Sequence, residues 1–285
     1  MIPLRFALLG DPVAHSKSPV MQAAAFAELG LPHTYQALRT GAGELQARVA
    51  ELRSGAFAGF NITLPHKRAI LPFADVVAST AAIAGAANTL YVAGGRVHAT
   101  NTDVAAIAAE LAALGPDVAG ALAAGRALVI GTGGAARAAV TALSLELGAT
   151  DIVVRGRSGA AAFAAEMQGL LTAVGCHVRV TGEPIVARAD DRDFICILQA
   201  TSAGMAGADS GQTVREAVTW DALPARALAF DVVYAPSDTP FVEAARAHGL
   251  RHSGGLGMLA RQGALALALW LRCPAPYNAM LAALL

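Results

Sequence analysis

The chain has 285 residues, 55% of them hydrophobic and 15% charged, and its acids and bases cancel to a formal net charge of zero. That length exceeds one small core and suits two domains or one large α/β unit, and its scattered lysines and arginines form no basic stripe, which argues against a nucleic-acid partner. The chain contains no charge-free apolar run of about 18 residues and no charged leader with a cleavage site, so neither a membrane span nor a secretory signal is expected; three widely spaced cysteines, Cys176, Cys196 and Cys273, indicate neither a metal site nor a disulfide framework and fit a reducing cytoplasm.

In chain order, "RFALLG" predicts a strand ending at Gly10, followed by the polar loop "GDPVAHSKSP". "SPVMQAAAFAELG" predicts a helix with Ser18 as its cap, Pro19 in its first turn and Gly30 at its end. "HTYQALR" predicts a second strand. "GAGELQARVAELRSG" predicts a second helix with Leu45, Val49 and Leu52 on one face, and "AGFNITLPHK" a third strand that stops at Pro65. This order argues for a parallel sheet with crossover helices. "AANTLYVAGGRVHATNTD" reads as a hairpin turning at Gly94 and Gly95, and "DVAAIAAELAALG" as a helix capped by Asp103. A second α/β unit starts near residue 120 with "GRALVIGTGGAARAAVTALSLELG", then "TDIVVRGR", "FICILQATSAG" and "ALAFDVVY". The closing stretches "GMLARQGALALALWL" and "APYNAMLAALL" read as two helices.

The turn "VIGTGGAAR" carries Gly131-x-Gly133-x-x-Ala136 between a strand and a helix, the context that gives this pattern weight as a dinucleotide-binding turn rather than a purely structural one. Gly131 permits the tight turn, Gly133 lets the backbone approach a pyrophosphate, and the helix N-terminus favours its charge. An NAD site places an acid at the end of the next strand. Here that end reads Arg155-Gly156-Arg157-Ser158, and two guanidiniums with a hydroxyl suit a 2′-phosphate, which favours NADP over solvated loop arginines.

Lys67, in "NITLPHK", follows a strand end, and Asp103, in "NTD", precedes a helix. Ligands of open α/β sheets collect at the carboxyl ends of strands. A lysine oriented by a carboxylate there suits proton exchange with the oxygen of a ketone that gains a hydride. Taken singly, Lys67 reads equally as a solvated surface lysine and Asp103 as an ordinary helix cap.

The ordered segments "GDPVAHSKSP", "FNITLPHK", "AGAANT", "NTD", "GTGGAAR", "ATSAG", "DVVY" with "TPF", and "GGLGMLARQ" resemble shikimate dehydrogenases over nearly the whole chain. The resemblance implies reversible NADPH-dependent reduction of 3-dehydroshikimate to shikimate, on the route to chorismate and the aromatic amino acids. It implies a two-domain α/β fold. Residues 1–104 form the substrate-binding and catalytic domain, completed by helices in 257–285. Residues 105–256 form a Rossmann-type NADP-binding domain, with a cleft between the two. It assigns Lys67 and Asp103 as the catalytic pair. By the same resemblance Ser16 and Ser18 bind the substrate carboxylate, and Thr63, Asn88, Gln262 and Tyr234 contact the rest of the ring acid together with Lys67 and Asp103. Gly131, Gly133, Gly134 and Ala135 line the pyrophosphate. Arg155, Arg157 and Ser158 face the 2′-phosphate. Thr201, Ser202, Val232, Gly255 and Met258 lie beside the cofactor. No metal is implied, and the partner is the small-molecule substrate alone, for a cytoplasmic monomer or homodimer.

Three departures from the family pattern stand out. The usual "NRT" is "GRS" at Gly156-Arg157-Ser158, and a further arginine is replaced near Ala161, which leaves Arg155 to compensate. "NATS" is "QATS", with Gln199. "QA" is "QG", with Gly263 after Gln262. Two other readings compete. One is a quinate or shikimate dehydrogenase paralogue with relaxed substrate or NAD use; the paired serines and the missing acid disfavour it. The other is a non-catalytic NADP-binding sensor, which would be expected to lose Lys67 or Asp103.

Overall fold

β1 (Arg5–Gly10) buries every residue after Arg5, because strands flank it on both sides in the middle of a sheet. The chain then runs through α1 (Ser18–Glu28), β2 (Thr34–Arg39), α2 (Leu45–Arg53), β3 (Gly59–Ile62), β4 (Val76–Val77), α3 (Ser79–Ala84), β5 (Thr89–Ala93) and β6 (Arg96–Thr100). The computed structural model describes residues 2–285. These strands form a six-stranded sheet in the order β2-β1-β3-β5-β6-β4. The predicted parallel pairing holds for β1 with β2 and β3. The sheet as a whole is mixed, because the β5–β6 hairpin is antiparallel and β5 also runs antiparallel to β3. Gly94 and Gly95 turn that hairpin at φ 57° and 72°, values a side chain disfavours. The core beneath the sheet gathers Leu9, Phe60, Ile62 and Leu90 with Leu45, Val49 and Leu52 of α2, the face that the 3.6-residue period picked out.

The helix after β6 is α4 (Thr102–Leu114), followed by α5 (Val118–Ala124), β7 (Arg126–Ile130), α6 (Gly134–Thr141), β8 (Asp151–Gly156), α7 (Ala161–Ala173), β9 (Arg179–Pro184), β10 (Phe194–Gln199), α8 (Gln212–Glu216), β11 (Leu228–Asp231), α9 (Pro240–Ala247) and β12 (Arg251–Ser253). The second sheet is parallel throughout, in the order β12-β11-β10-β7-β8-β9. Its central strands are apolar runs, as both-face burial demands. α10 (Leu256–Leu271) and α11 (Tyr277–Ala282) end the chain. The chain divides into two units: residues up to Asp103 with Leu259–Leu285, and Val104–Met258. Among the described residues no single helix is long and apolar enough to cross a membrane.

Each unit holds one of the two tryptophans. Trp270 stacks on Phe6 at 4.9 Å, and its indole nitrogen donates to the Leu90 carbonyl at 3.1 Å. A Cβ at Gly59 would meet that indole at 2.3 Å, so only glycine fits at the start of β3. Trp220 packs edge-on against Phe241 in the core of the other unit.

Two predicted caps are corrected. Ser18 is the first residue inside α1 and Lys17 holds the cap position; the Ser16 hydroxyl accepts the Ser18 N–H at 3.2 Å. Asp103 lies inside α4, and it is the Asn101 carbonyl Oδ1 that accepts the Asp103 N–H at 3.1 Å. With Asn101 serving the helix end, the Asp103 carboxylate is free for other partners.

Candidate active site

In the first unit the polar side chains gather where β1, β3 and β6 end and antiparallel β5 begins. Close packing at Gly10 shapes this edge: a Cβ there would lie 2.3 Å from the Thr63 methyl and 2.8 Å from the Leu64 carbonyl oxygen. Past β3 the chain turns, and the Lys67 carbonyl accepts the Ala87 N–H at 2.7 Å, which ties this turn to the segment carrying Asn88. Lys67 Nζ donates to Asp103 Oδ2 at 2.6 Å. The Asp103 side chain is 5% exposed and that of Lys67 20%, so the carboxylate is fixed inside while the lysine side chain stays partly exposed.

Asn88 organises the pair. Its Nδ2 donates to Asp103 Oδ1 at 2.8 Å and to Thr102 Oγ1 at 2.9 Å, with Gln262 Oε1 at 3.4 Å. Its Oδ1 accepts from the Thr102 N–H at 2.8 Å and from the Thr89 hydroxyl at 3.0 Å. Gln262, half-buried on α10, joins through its main chain, whose carbonyl accepts the Thr102 hydroxyl at 3.1 Å. The structure thus brings Lys67, Asn88, Asp103 and Gln262 into one hydrogen-bonded cluster. A network this well satisfied holds its members in one geometry.

The serine loop connects to the same cluster. Ser18, 5% exposed, hydrogen-bonds the Tyr35 phenol, and burial holds that phenol well above its usual pKa against the pull of this bond. The Tyr35 hydroxyl donates to Asn61 Oδ1 at 2.9 Å, and Asn61 Nδ2 donates to Thr89 Oγ1 at 3.1 Å and to the Asn88 carbonyl at 3.2 Å. Sequence reasoning missed Tyr35, Asn61, Thr89, Asn101 and Thr102. Asn61 left a signal, being an amide in the strand "GFNI", all four positions of which are buried.

In the second unit Gly131 sits at φ 122°, and a Cβ there would meet the Thr201 methyl at 2.9 Å, so the glycine turn and the strand-end Thr201 pack together. Gly133 occupies the cap position of α6 with no side chain to satisfy the first N–H groups, and a Cβ placed on it meets nothing within 4 Å. Open space in front of unsatisfied helix N–H groups fits a pyrophosphate. Gly134 and Ala135 follow, half-buried. Gln199 braces the turn after β10: its Oε1 accepts the Thr201 N–H and its Nε2 donates to the Ala203 carbonyl at 3.0 Å, fixing the segment that carries Thr201 and exposed Ser202.

One cofactor assignment is corrected. Arg155 is fully buried; its guanidinium donates to Asp191 at 2.6 and 3.2 Å and to the Ala217 carbonyl at 2.7 Å. Burial would raise the Asp191 pKa, but these bonds hold it below the usual carboxylate value. Arg155 therefore has no free edge for a phosphate. Arg157 and Ser158, beyond the end of β8, are exposed.

At the positions expected to accompany the cofactor, Gly255 donates its N–H to the Val233 carbonyl at 2.9 Å, and a Cβ on it would strike the Val232 carbonyl oxygen at 2.1 Å. Asp231 ties off the loop that carries Val232 and half-buried Tyr234: its carboxyl accepts the Val233 N–H at 2.8 Å and the Thr239 hydroxyl at 2.6 Å. Met258, buried, lies in the first turn of α10.

Residues 8–90 match the family model for the shikimate dehydrogenase substrate binding domain, and residues 255–285 match that for the shikimate 5′-dehydrogenase C-terminal domain. The shikimate dehydrogenase (NADP(+)) of Symbiobacterium thermophilum is 37% identical across 96% of this chain and 90% of its own. That of Geobacter metallireducens is 36% identical across 92% and 89%. The crystal structure of the Thermus thermophilus shikimate 5-dehydrogenase in complex with NADP(H) and shikimate superposes with a TM-score of 0.79 at 35% identity, covering 99% of this chain and 98% of that one. With identity at this level along nearly its full length, the chain belongs to the shikimate dehydrogenase family.

Proposed function

We propose that this protein is an NADP-dependent shikimate dehydrogenase, which reversibly reduces 3-dehydroshikimate to shikimate on the route to chorismate and the aromatic amino acids. The observation that carries this reading is the Lys67–Asp103–Asn88 cluster, since it supplies a held proton donor at a strand-end site. We assign the unit that contains Lys67 to the substrate and the unit that contains the glycine turn to the cofactor. NADPH, when bound, supplies the hydride.

The chain's own residues handle the proton and the orientation. Lys67 gives its proton to the C3 oxygen during reduction and recovers one during oxidation. Asp103 holds Lys67 at one carboxylate oxygen and is itself held by Asn88 at the other, so the ammonium meets the ring in a fixed direction. Asn88, Thr63 and Gln262 contact the ring hydroxyls, with Tyr234 as a further substrate contact. Ser16 and Ser18 take the carboxylate. For the cofactor, Gly131, Gly133, Gly134 and Ala135 line the pyrophosphate, and Thr201, Ser202, Val232, Gly255 and Met258 accompany the remainder. Arg157 and Ser158 meet the 2′-phosphate without Arg155. A cytoplasmic monomer or homodimer completes the proposal.

A four-way assay tests it: shikimate and quinate, each with NADP+ and with NAD+. Shikimate with NADP+ gives the highest kcat/KM. A higher value with quinate or with NAD+ overturns the substrate or cofactor assignment respectively.

A further inference from the structure

Lys17 stands between the two serines proposed to bind a carboxylate, where an ammonium would be the obvious ion-pair partner. Its side chain is engaged elsewhere: Nζ donates to the Leu284 carbonyl at 2.9 Å, 267 residues further along the chain. The acceptor is firmly seated, since Leu284 is 3% exposed, Met280 of α11 is fully buried, and α11 packs on α1. Lys17 is also the cap residue of α1 and has helical backbone geometry. Its neighbours on either side are linked through the Ser16 hydroxyl and the Ser18 N–H. The near end of the loop is pinned by the Asp11 N–H to the Leu64 carbonyl at 2.9 Å, and its far end by Lys17.

We propose that Lys17 is a positioning residue for substrate binding: by clamping the Leu284 carbonyl it fixes the backbone on which Ser16 and Ser18 present their hydroxyls, and the substrate carboxylate is gripped by those neutral hydroxyls, not by the lysine. The proposal rests on the carboxylate role of Ser16 and Ser18. Loops hold a ligand only as well as they are themselves held, and an error of a fraction of an ångström weakens short hydroxyl–carboxylate bonds. The effect belongs to substrate affinity, because the Lys67–Asp103 pair is built from other elements.

Steady-state kinetics on the full chain test this. In Lys17→Met the KM for shikimate rises about three- to tenfold, the worth of one hydrogen bond, while kcat and the KM for NADP+ stay within about twofold and the melting temperature holds. Lys17→Arg, which can still donate to the carbonyl, restores most of the affinity. Leu284→Ala, which loosens the seat of the acceptor, raises the KM in the same direction, and combining it with Lys17→Met adds little. In a Ser16→Ala/Ser18→Ala background, Lys17→Met has no further effect, because Lys17 acts only through those hydroxyls. A full additional loss in that background shows direct contact with the carboxylate and overturns the proposal, as does an unchanged KM in Lys17→Met alone. An unchanged KM in Ser16→Ala/Ser18→Ala overturns the carboxylate reading itself, a result separable from failure of the Lys17 proposal.

Discussion

At Lys67 the reaction needs a proton donor that is held without being sealed off. One N–H of the ammonium is directed at Asp103 Oδ2, and the side chain stays partly exposed, so its other protons remain available to a ligand. Replacing Lys67 with alanine removes the donor and leaves the binding groups in place. We expect kcat to fall by about two to four orders of magnitude with a much smaller change in the KM for shikimate; turnover within about tenfold of wild type in a steady-state assay contradicts this. Asp231 offers a different kind of test. Burial pushes its carboxyl up to about 6 despite two accepted hydrogen bonds, so the folded state keeps the proton to a higher pH than the unfolded chain does. A raised carboxyl pKa stabilises the fold at low pH, and that contribution fades as pH climbs from about 4 to about 6. Denaturant unfolding of Asp231→Asn therefore shows the variant less stable relative to wild type at about pH 4.5 than at about pH 7, by on the order of 2 kcal/mol across the window. A difference that does not vary with pH sinks the assignment.

Among the elements, β8 shows where reading from sequence stops. Its end, "VVRGRS", presents two arginines, and sequence treats them alike. Arg155 still lies in the strand, registered beside Glu183 of β9, with its guanidinium fixed on Asp191; Arg157 lies past the strand end in the open. The partner that decides the matter is 36 residues away, beyond any local pattern. Removing Arg155 alone, as in Arg155→Met, leaves Asp191 buried without its cation and costs about 3–5 kcal/mol of stability, measured by urea unfolding. Titration calorimetry near neutral pH on the folded fraction then finds NADP+ affinity little changed, whereas Arg157→Ala weakens NADP+ about tenfold or more and spares NAD+. Comparable NADP+ losses in both variants reinstate Arg155 as a phosphate ligand. The same limit explains the caps. "NTD" shows a capping residue but not which one, and only the Asn101 bond reveals that Asp103 is left for Lys67. The glycine turn and the Gly94–Gly95 hairpin were legible because their causes are local: a φ that glycine tolerates and a strand on either side. The family resemblance named Lys67, Asn88, Asp103 and Gln262, but the bonds that tie them together through Asn61, Thr89 and Thr102 were not legible, since they join β3, β5, α4 and α10 from distant parts of the chain.

On the scale of the whole molecule, two units with separate cores should register their ligands separately. A ligand at about one hundred times its Kd stabilises the form that binds it by about 2.7 kcal/mol. Hydrogen exchange followed peptide by peptide should therefore show NADP+ slowing exchange first in β7, α6 and β8, and shikimate slowing it first in β3, β5 and the loop before α1. Shikimate protection confined to β7 and β8 would reverse the assignment of the units. Trp270 and Trp220 turn this into an optical experiment. Each indole packs on a ring in a different unit, one against Phe6 and the other against Phe241. A Trp220→Phe variant glows only from the unit that holds Lys67, and a Trp270→Phe variant only from the unit that holds the glycine turn. The red shift of each emission with added denaturant then times the opening of one unit without a label.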